Sequence, residues 1–165
     1  MAFTNTAAAL RQTGGLIVGR LSQGLQQDNS IASGELDKSI SFNVKSTDKK
    51  IELDITMLDY WGAVDGGRKA GKQPPIDKIK EWLTYPNVRD KMRFGQSDAA
   101  FTETEKNSLA FLIARKIGRQ GTKGNNFATN VFTSSLITKE LPEVILNSIV
   151  EDADSVLTEL LDSFG

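Results

Sequence analysis

Apolar residues near the start of the chain recur at helical intervals: Leu10, Ile17, Leu21 and Leu25 fall on one stripe. That spacing predicts an amphipathic helix over residues 4–25, with Thr4 or Asn5 as its cap. Gly14 and Gly15 interrupt it. Each costs roughly 1 kcal/mol against alanine inside a helix, so the pair suggests a kink or close packing against another backbone. The polar segment 26–38 then reads as a loop. After it the period changes to two. Ile40, Phe42 and Val44 alternate with Ser41 and Asn43, and Ile51, Leu53 and Ile55 alternate with Glu52 and Asp54. Two such runs around the polar turn KSTDKK predict a β-hairpin with one buried face.

Further along, MLDYWGAVDGG fits a short helix or a third strand. Pro74 and Pro75 open a helix, since proline suits the first helical position. Ile76, Ile79 and Leu83 form its face beside Trp82, and Pro86 ends it. Residues 84–101 show no period and read as a long connection. Thr102 and Glu105 make a capping box ahead of a helix whose inner face is Leu109, Leu112, Ile113 and Ile117. Ala110 and Ala114 there allow close approach, and Gly121 stops the helix. Residues 127–137 fit either a helix or an extended segment. A last helix over about 140–163 uses Ile145, Ile149, Val156, Leu160 and Phe164, a stripe that must be covered. The expected fold class is α+β, a small antiparallel sheet with packed helices. A single domain over residues 1–165 divides into a core at 1–139 and an acidic C-terminal helix at 140–165.

Composition narrows the chemistry. The 165 residues include no cysteine and no histidine. Disulfides, thiolate nucleophiles, zinc sites with nitrogen or sulfur ligands and the commonest general base are therefore absent. No paired carboxylates at helical spacing in an apolar setting stand out, and no Ser or Thr adjoins a candidate base, so no enzymatic activity and no cofactor are expected. Asp152 and Asp154 lack an EF-hand loop around them, so no metal is expected either. No apolar run reaches membrane-spanning length, and the N-terminus lacks the basic region of a secretory signal.

Charge is unevenly placed. Residues 140–165 carry 7 acidic groups and no Lys or Arg, which leaves 20 basic against 14 acidic groups, a net of +6, in residues 1–139. The acidic segment is either a solvated helix face or a surface that packs on a basic one, on this chain or a neighbour.

The stretch GGRKAGKQPP at 66–75 carries the glycine and lysine spacing of a phosphate-binding P-loop. It lacks the parts that make one work. The lead-in is not a continuous buried strand, Gln73 replaces the magnesium-binding hydroxyl, and Pro74 and Pro75 have no N–H to offer a phosphate.

The same residues fit another pattern. Tyr60, Trp61, Val64, Asp65, Gly67, Arg68, Lys69, Gly71, Lys72, Pro74, Pro75, Ile79 and Trp82, at their spacing here, resemble the head–tail connector proteins of tailed bacteriophages, variously called neck, minor tail or tail-completion proteins. Upstream, Ala32-Ser33-Gly34, Leu36 and Ser39-Ile40 are similar to that family's segment before the hairpin. Downstream, Phe111 with Ile113 to Ile117, Gly121-Thr122, Gly124 and Phe127 is similar to its later helix and following turn. The resemblance covers about residues 10–132, and the acidic helix lies outside it.

It implies a structural virion protein, assembled in the host cytoplasm and placed in the connector or tail region. Six or twelve copies would form a closed ring between portal and tail. Portal, adaptor and tail proteins would be partners, genomic DNA would pass through the channel, and no membrane would be involved. Arg68, Lys69 and Lys72 then become candidates for contact with a neighbouring subunit or with DNA phosphate; alternatively they keep the loop soluble. Asp65 either orients Arg68 or meets a basic partner. Gly34, Gly67, Gly71, Gly121 and Gly124 serve as structural positions with Pro74 and Pro75, and Tyr60, Trp61 and Trp82 read as core aromatics. Arg115, Lys116 and Arg119 mark a basic helix end that its dipole favours. The alternative function is a nucleic-acid-binding module without catalysis, though the basic residues are dispersed over several elements.

Overall fold

Helix α1 (Thr4–Gln27) runs through both glycines, and its predicted stripe is inside: Leu10, Ile17, Leu21 and Leu25 are all buried. The computed structural model describes residues 3–27, 33–47, 49–92 and 101–164. Gly14 is explained by its neighbour. A Cβ there would lie 2.7 Å from Cγ of Phe42, so the hairpin's aromatic ring occupies the space of the missing side chain. The close approach is to a side chain, not to a second backbone. Gly15 faces open space.

A short helix, α2 (Glu35–Ser39), stands where a loop was expected. The hairpin forms where predicted but without the expected buried face, since no residue of either strand is buried. Strands β1 (Ser41–Ser46) and β2 (Ile51–Thr56) pair antiparallel, with Phe42 opposite Ile55 and Val44 opposite Leu53. The ambiguous stretch after it resolves into helix α3 (Trp61–Asp65) and a two-residue strand, β3 (Gly67–Arg68). Helix α4 (Ile76–Thr84) begins behind Pro75 and ends at Tyr85. Pro86 ends α4 and also opens α5 (Pro86–Met92), so the expected connection is partly helical. Proline breaks the helix behind it but is pre-organised for the one ahead. The remainder of that connection, 93–100, lies outside the described residues.

Helix α6 (Glu103–Gln120) starts on the predicted capping box. Thr102 Oγ1 accepts from Glu105 N–H at 3.3 Å, and Glu105 Oε2 accepts from Thr102 N–H at 2.7 Å. Its inner face differs from the expectation at one place. Ala110 and Ala114 are fully buried, whereas Leu112 is 58 % exposed. Strand β4 (Thr122–Lys123) pairs antiparallel with β3. The chain closes with α7 (Phe127–Phe132), a π-helical turn (Leu136–Glu140) and α8 (Leu141–Asp162). The fold is α+β, with two small antiparallel sheets among helices.

The described residues fall into two compact units. The first takes the chain as far as Gly24, Lys38–Leu58, and the chain from Phe127 onward; the second takes Leu25–Asp37 and Asp59–Asn126. In the first unit, Leu10, Ile17, Leu21, Ile40, Phe127, Ala128 and Val131 are buried. In the second, Leu83, Val88 and Ala110 form a core on which Ile79, Trp82, Tyr85, Phe101, Leu109 and Ile113 pack. This joins α4, α5 and α6. Trp82 is a core aromatic, as expected. Tyr60 and Trp61 are not: they flank the start of α3 at 44 % and 37 % exposure.

The last helix buries its predicted stripe only in part: Ile145 and Val156 are half-buried. Ser148 and Asp152 are its buried residues. Ile149, Leu160 and Phe164, expected inside, are 43 %, 49 % and 86 % exposed. The reason is a polar attachment. Asp152 accepts from the N–H groups of Asn5 and Thr6 at the start of α1, and burying that carboxylate fixes which side of α8 faces in. Among the described residues no helix is long and apolar enough to cross a membrane.

Candidate functional site

The loop that mimics a P-loop is built into the second unit by backbone pairing. Gly67 lies opposite Lys123 and Arg68 opposite Thr122, and Arg68 N–H donates to Thr122 Oγ1 at 3.1 Å. Further on, Gly71 N–H donates to the Gly118 carbonyl in the last turn of α6 at 2.8 Å. On the other side, Asn125 and Asn126 N–H groups donate to the carbonyls of Val64 and Asp65 at 3.1 and 2.9 Å. Residues 64–71 and 118–126 therefore form one stapled block.

Two glycines make that block possible. A Cβ on Gly124 would sit 2.5 Å from the backbone of both Gly66 and Gly67, a contact that no rotamer change can relieve. Gly67 adopts φ +76°, where an L side chain is strained, and faces the Gly124 backbone in turn. The middle and downstream segments of the sequence pattern thus meet in space, glycine against glycine. Of the other structural positions, Gly34 has φ +78° just ahead of α2, and Gly121 has φ +71° at the end of α6. Pro75 holds the cap position of α4 behind Pro74. The upstream segment reaches the same unit through Tyr60. Partial burial and the Glu35 carboxylate push the Tyr60 phenol up from its usual range, with the Leu36 backbone pulling against them.

Stapling also gathers charge. The loop supplies Arg68, Lys69 and Lys72, the last turns of α6 supply Arg115, Lys116 and Arg119, and β4 supplies Lys123; all seven are exposed. Among the described residues none of the seven forms an ion pair. The Arg68 guanidinium donates to the Lys72 carbonyl, which bends the loop back on itself. Asp65, the last residue of α3, is buried at 7 % exposure. From sequence these cations look dispersed over distant segments. The β3–β4 pairing places them at one end of one unit, and no local signal marks that pairing.

The geometry removes a phosphate cradle from consideration. Such a loop needs free N–H groups converging on an anion. Here the N–H groups of Arg68 and Gly71 already donate to Thr122 and Gly118, and α3, not a strand, leads in. An open cleft of about 560 Å³ lies beside the block, with Trp82 and Val64 in its wall and Lys123 among its lining residues. Among the described residues no cluster of three or more acidic side chains is placed to hold a metal ion.

Comparison with protein-family models, with curated proteins and with solved structures returns no match.

Proposed function

We propose that the chain is a non-catalytic structural subunit that assembles into a closed ring in the head–tail connector of a tailed bacteriophage. The observation that carries this reading is the stapled block. Two separated segments of the connector-like pattern, around Gly67 and around Gly124, fit one another so closely that glycine is required on both sides. Residues that recur in a pattern need a physical reason, and mutual backbone contact is one. The block also presents a rigid, exposed edge of cationic side chains, which suits a subunit that must meet neighbours and tolerate DNA passing nearby.

Solution mass followed by negative-stain imaging tests the reading. The expected result is closed rings with an axial channel at micromolar concentration. A chain that stays monomeric throughout that range would overturn it. The second reading, a nucleic-acid-binding module, draws on the same seven gathered cations. It predicts salt-dependent duplex binding by a monomer, and rings without such binding would remove it.

A further inference from the structure

Two helices leave large apolar side chains in water. One is α8, on its outward side. Opposite Asp152, residues at helical spacing leave Leu146, Val150, Leu157 and Leu161 exposed by 61 %, 51 %, 56 % and 72 %. The exposed acids Glu143 and Asp154 fall on the same helical spacing, within that stripe. The other is α6, on its outward side. Opposite its buried alanines, Phe111 and Leu112 are 50 % and 58 % exposed and continue into Arg115, Lys116 and Arg119.

The two surfaces have the same composition with opposite sign. Each mixes large apolar side chains with charges of one kind, acidic on α8 and basic on α6. We propose that the outward face of α8 on one copy docks on the outward face of α6 on the next copy. The proposal rests on the reading of the chain as a self-assembling subunit, and it names the two faces involved.

The alternatives fit one surface only. Nucleic acid would suit the cations of α6 but would be repelled by α8, and so would an anionic membrane. Pairing α8 with α8 about a two-fold axis would press acid on acid. A contact between unlike faces removes both apolar stripes from water and matches charge along their length. Such a contact is heterologous, so it closes into a ring or propagates as a filament.

Compensating charge reversal on the full-length chain tests this. One variant carries Arg115→Glu and Arg119→Glu; the other carries Glu143→Lys and Asp154→Lys. Circular dichroism melts first establish that each folds like the parent. Sedimentation velocity across concentration then gives self-association. Each variant alone should associate about tenfold more weakly than the parent, or worse, because like charges now face each other. An equimolar mixture should recover association, since the altered α8 of one variant complements the altered α6 of the other, and the native α8 of the second meets the native α6 of the first. The parent's own association should weaken as salt rises.

A parent that is monomeric at all concentrations overturns the proposal. So does a variant that associates as the parent does, or a mixture that stays dissociated. Loss of duplex DNA binding in the α6 variant with unchanged self-association would assign that face to nucleic acid instead. The ring reading fails separately. Rings that persist in both variants would leave it standing without this contact, whereas open filaments that the variants dissolve would keep the contact and remove the ring.

Discussion

Asp152, midway along α8, holds the first turn of α1 through Thr6. Its carboxylate accepts the Thr6 N–H at 2.9 Å, the Thr6 hydroxyl at 2.7 Å and the Asn5 N–H at 2.8 Å. The Phe3 carbonyl receives the first intrahelical bond, from Ala7 N–H. Phe3 is thus the cap position and has no side chain that can accept. Thr4 and Asn5, the caps expected from sequence, lie within the helix. Asp152 supplies from the far end of the chain what a local Ser or Asp would normally supply, and its charge also suits a helix N-terminus.

This contact should make the fold acid-sensitive. Burial penalises the Asp152 carboxylate, but the bonds from Thr6 and Asn5 outweigh that and hold its pKa below the usual range. A depressed folded value means the unfolded chain binds the proton more readily. The contribution is therefore complete above the unfolded aspartate value of about 4 and disappears as pH falls through the folded one. Asp152→Asn should cost about 1–2 kcal/mol at neutral pH, and Asp152→Ala somewhat more. Chemical denaturation at pH 7 and at stepwise lower pH checks both. The gap between parent and Asp152→Asn should narrow on acidification, and a constant gap would rule out the carboxylate as its source.

Gly14 and Gly15 should respond in opposite ways to alanine. Gly15→Ala meets nothing and should stabilise by roughly 0.5–1 kcal/mol through helix propensity. Gly14→Ala meets the Phe42 ring and should destabilise by about 1 kcal/mol, because the ring must leave its place on α1. In a Phe42→Ala background the Gly14→Ala penalty should vanish. A double-mutant cycle by thermal or urea melts reads the coupling directly.

The legible parts of the fold are those specified within one or two turns of chain. The stripe from Leu10 to Leu25, the alternation at 40–44 and 51–55, and the Thr102–Glu105 box each carry their own periodicity or reciprocal side chains. What escaped depends on distant partners. Asp152 reads as one acid in an acidic segment until Thr6 is seen beside it. Because that attachment sets the rotation of α8, only Ile145 and Val156 of the predicted apolar stripe are half-buried and the rest is exposed. Tyr60 and Trp61 were expected inside on hydrophobicity, yet a five-residue helix has too little surface to cover both. The site was half legible. Arg68, Lys69 and Lys72 stand out locally, but their junction with Arg115, Lys116, Arg119 and Lys123 follows from a two-residue strand pairing with no sequence signature.

Gly124 should be among the least replaceable positions in the second unit. Gly124→Ala drives a methyl into the backbone of Gly66 and Gly67, so β3 and β4 must separate. The expected loss is about 2–4 kcal/mol, in the range of backbone strain added to lost hydrogen bonds. Amide hydrogen exchange should show the damage locally, with faster exchange at Arg68, Gly71, Asn125 and Asn126. A global melt with unaltered protection at these four amides would contradict the stapling argument.

The loop at 66–75 should ignore nucleotides even when its sequence is corrected. Gln73→Thr supplies the hydroxyl that the P-loop pattern asks for, so a purely sequence-based view expects magnesium–ATP binding to appear. The structure gives three reasons against it. The N–H groups of Arg68 and Gly71 are already bonded to Thr122 and Gly118. Pro74 and Pro75 cannot donate at the start of α4. Freeing the loop would also break the β3–β4 pairing, whose glycines tolerate little displacement. Calorimetric titration of the parent, of Lys72→Ala and of Gln73→Thr with magnesium–ATP should show no saturable heat in any of the three. A micromolar isotherm that depends on Lys72 would mean the loop opens its amides to phosphate, and the stapled block would then have to be dynamic, not fixed.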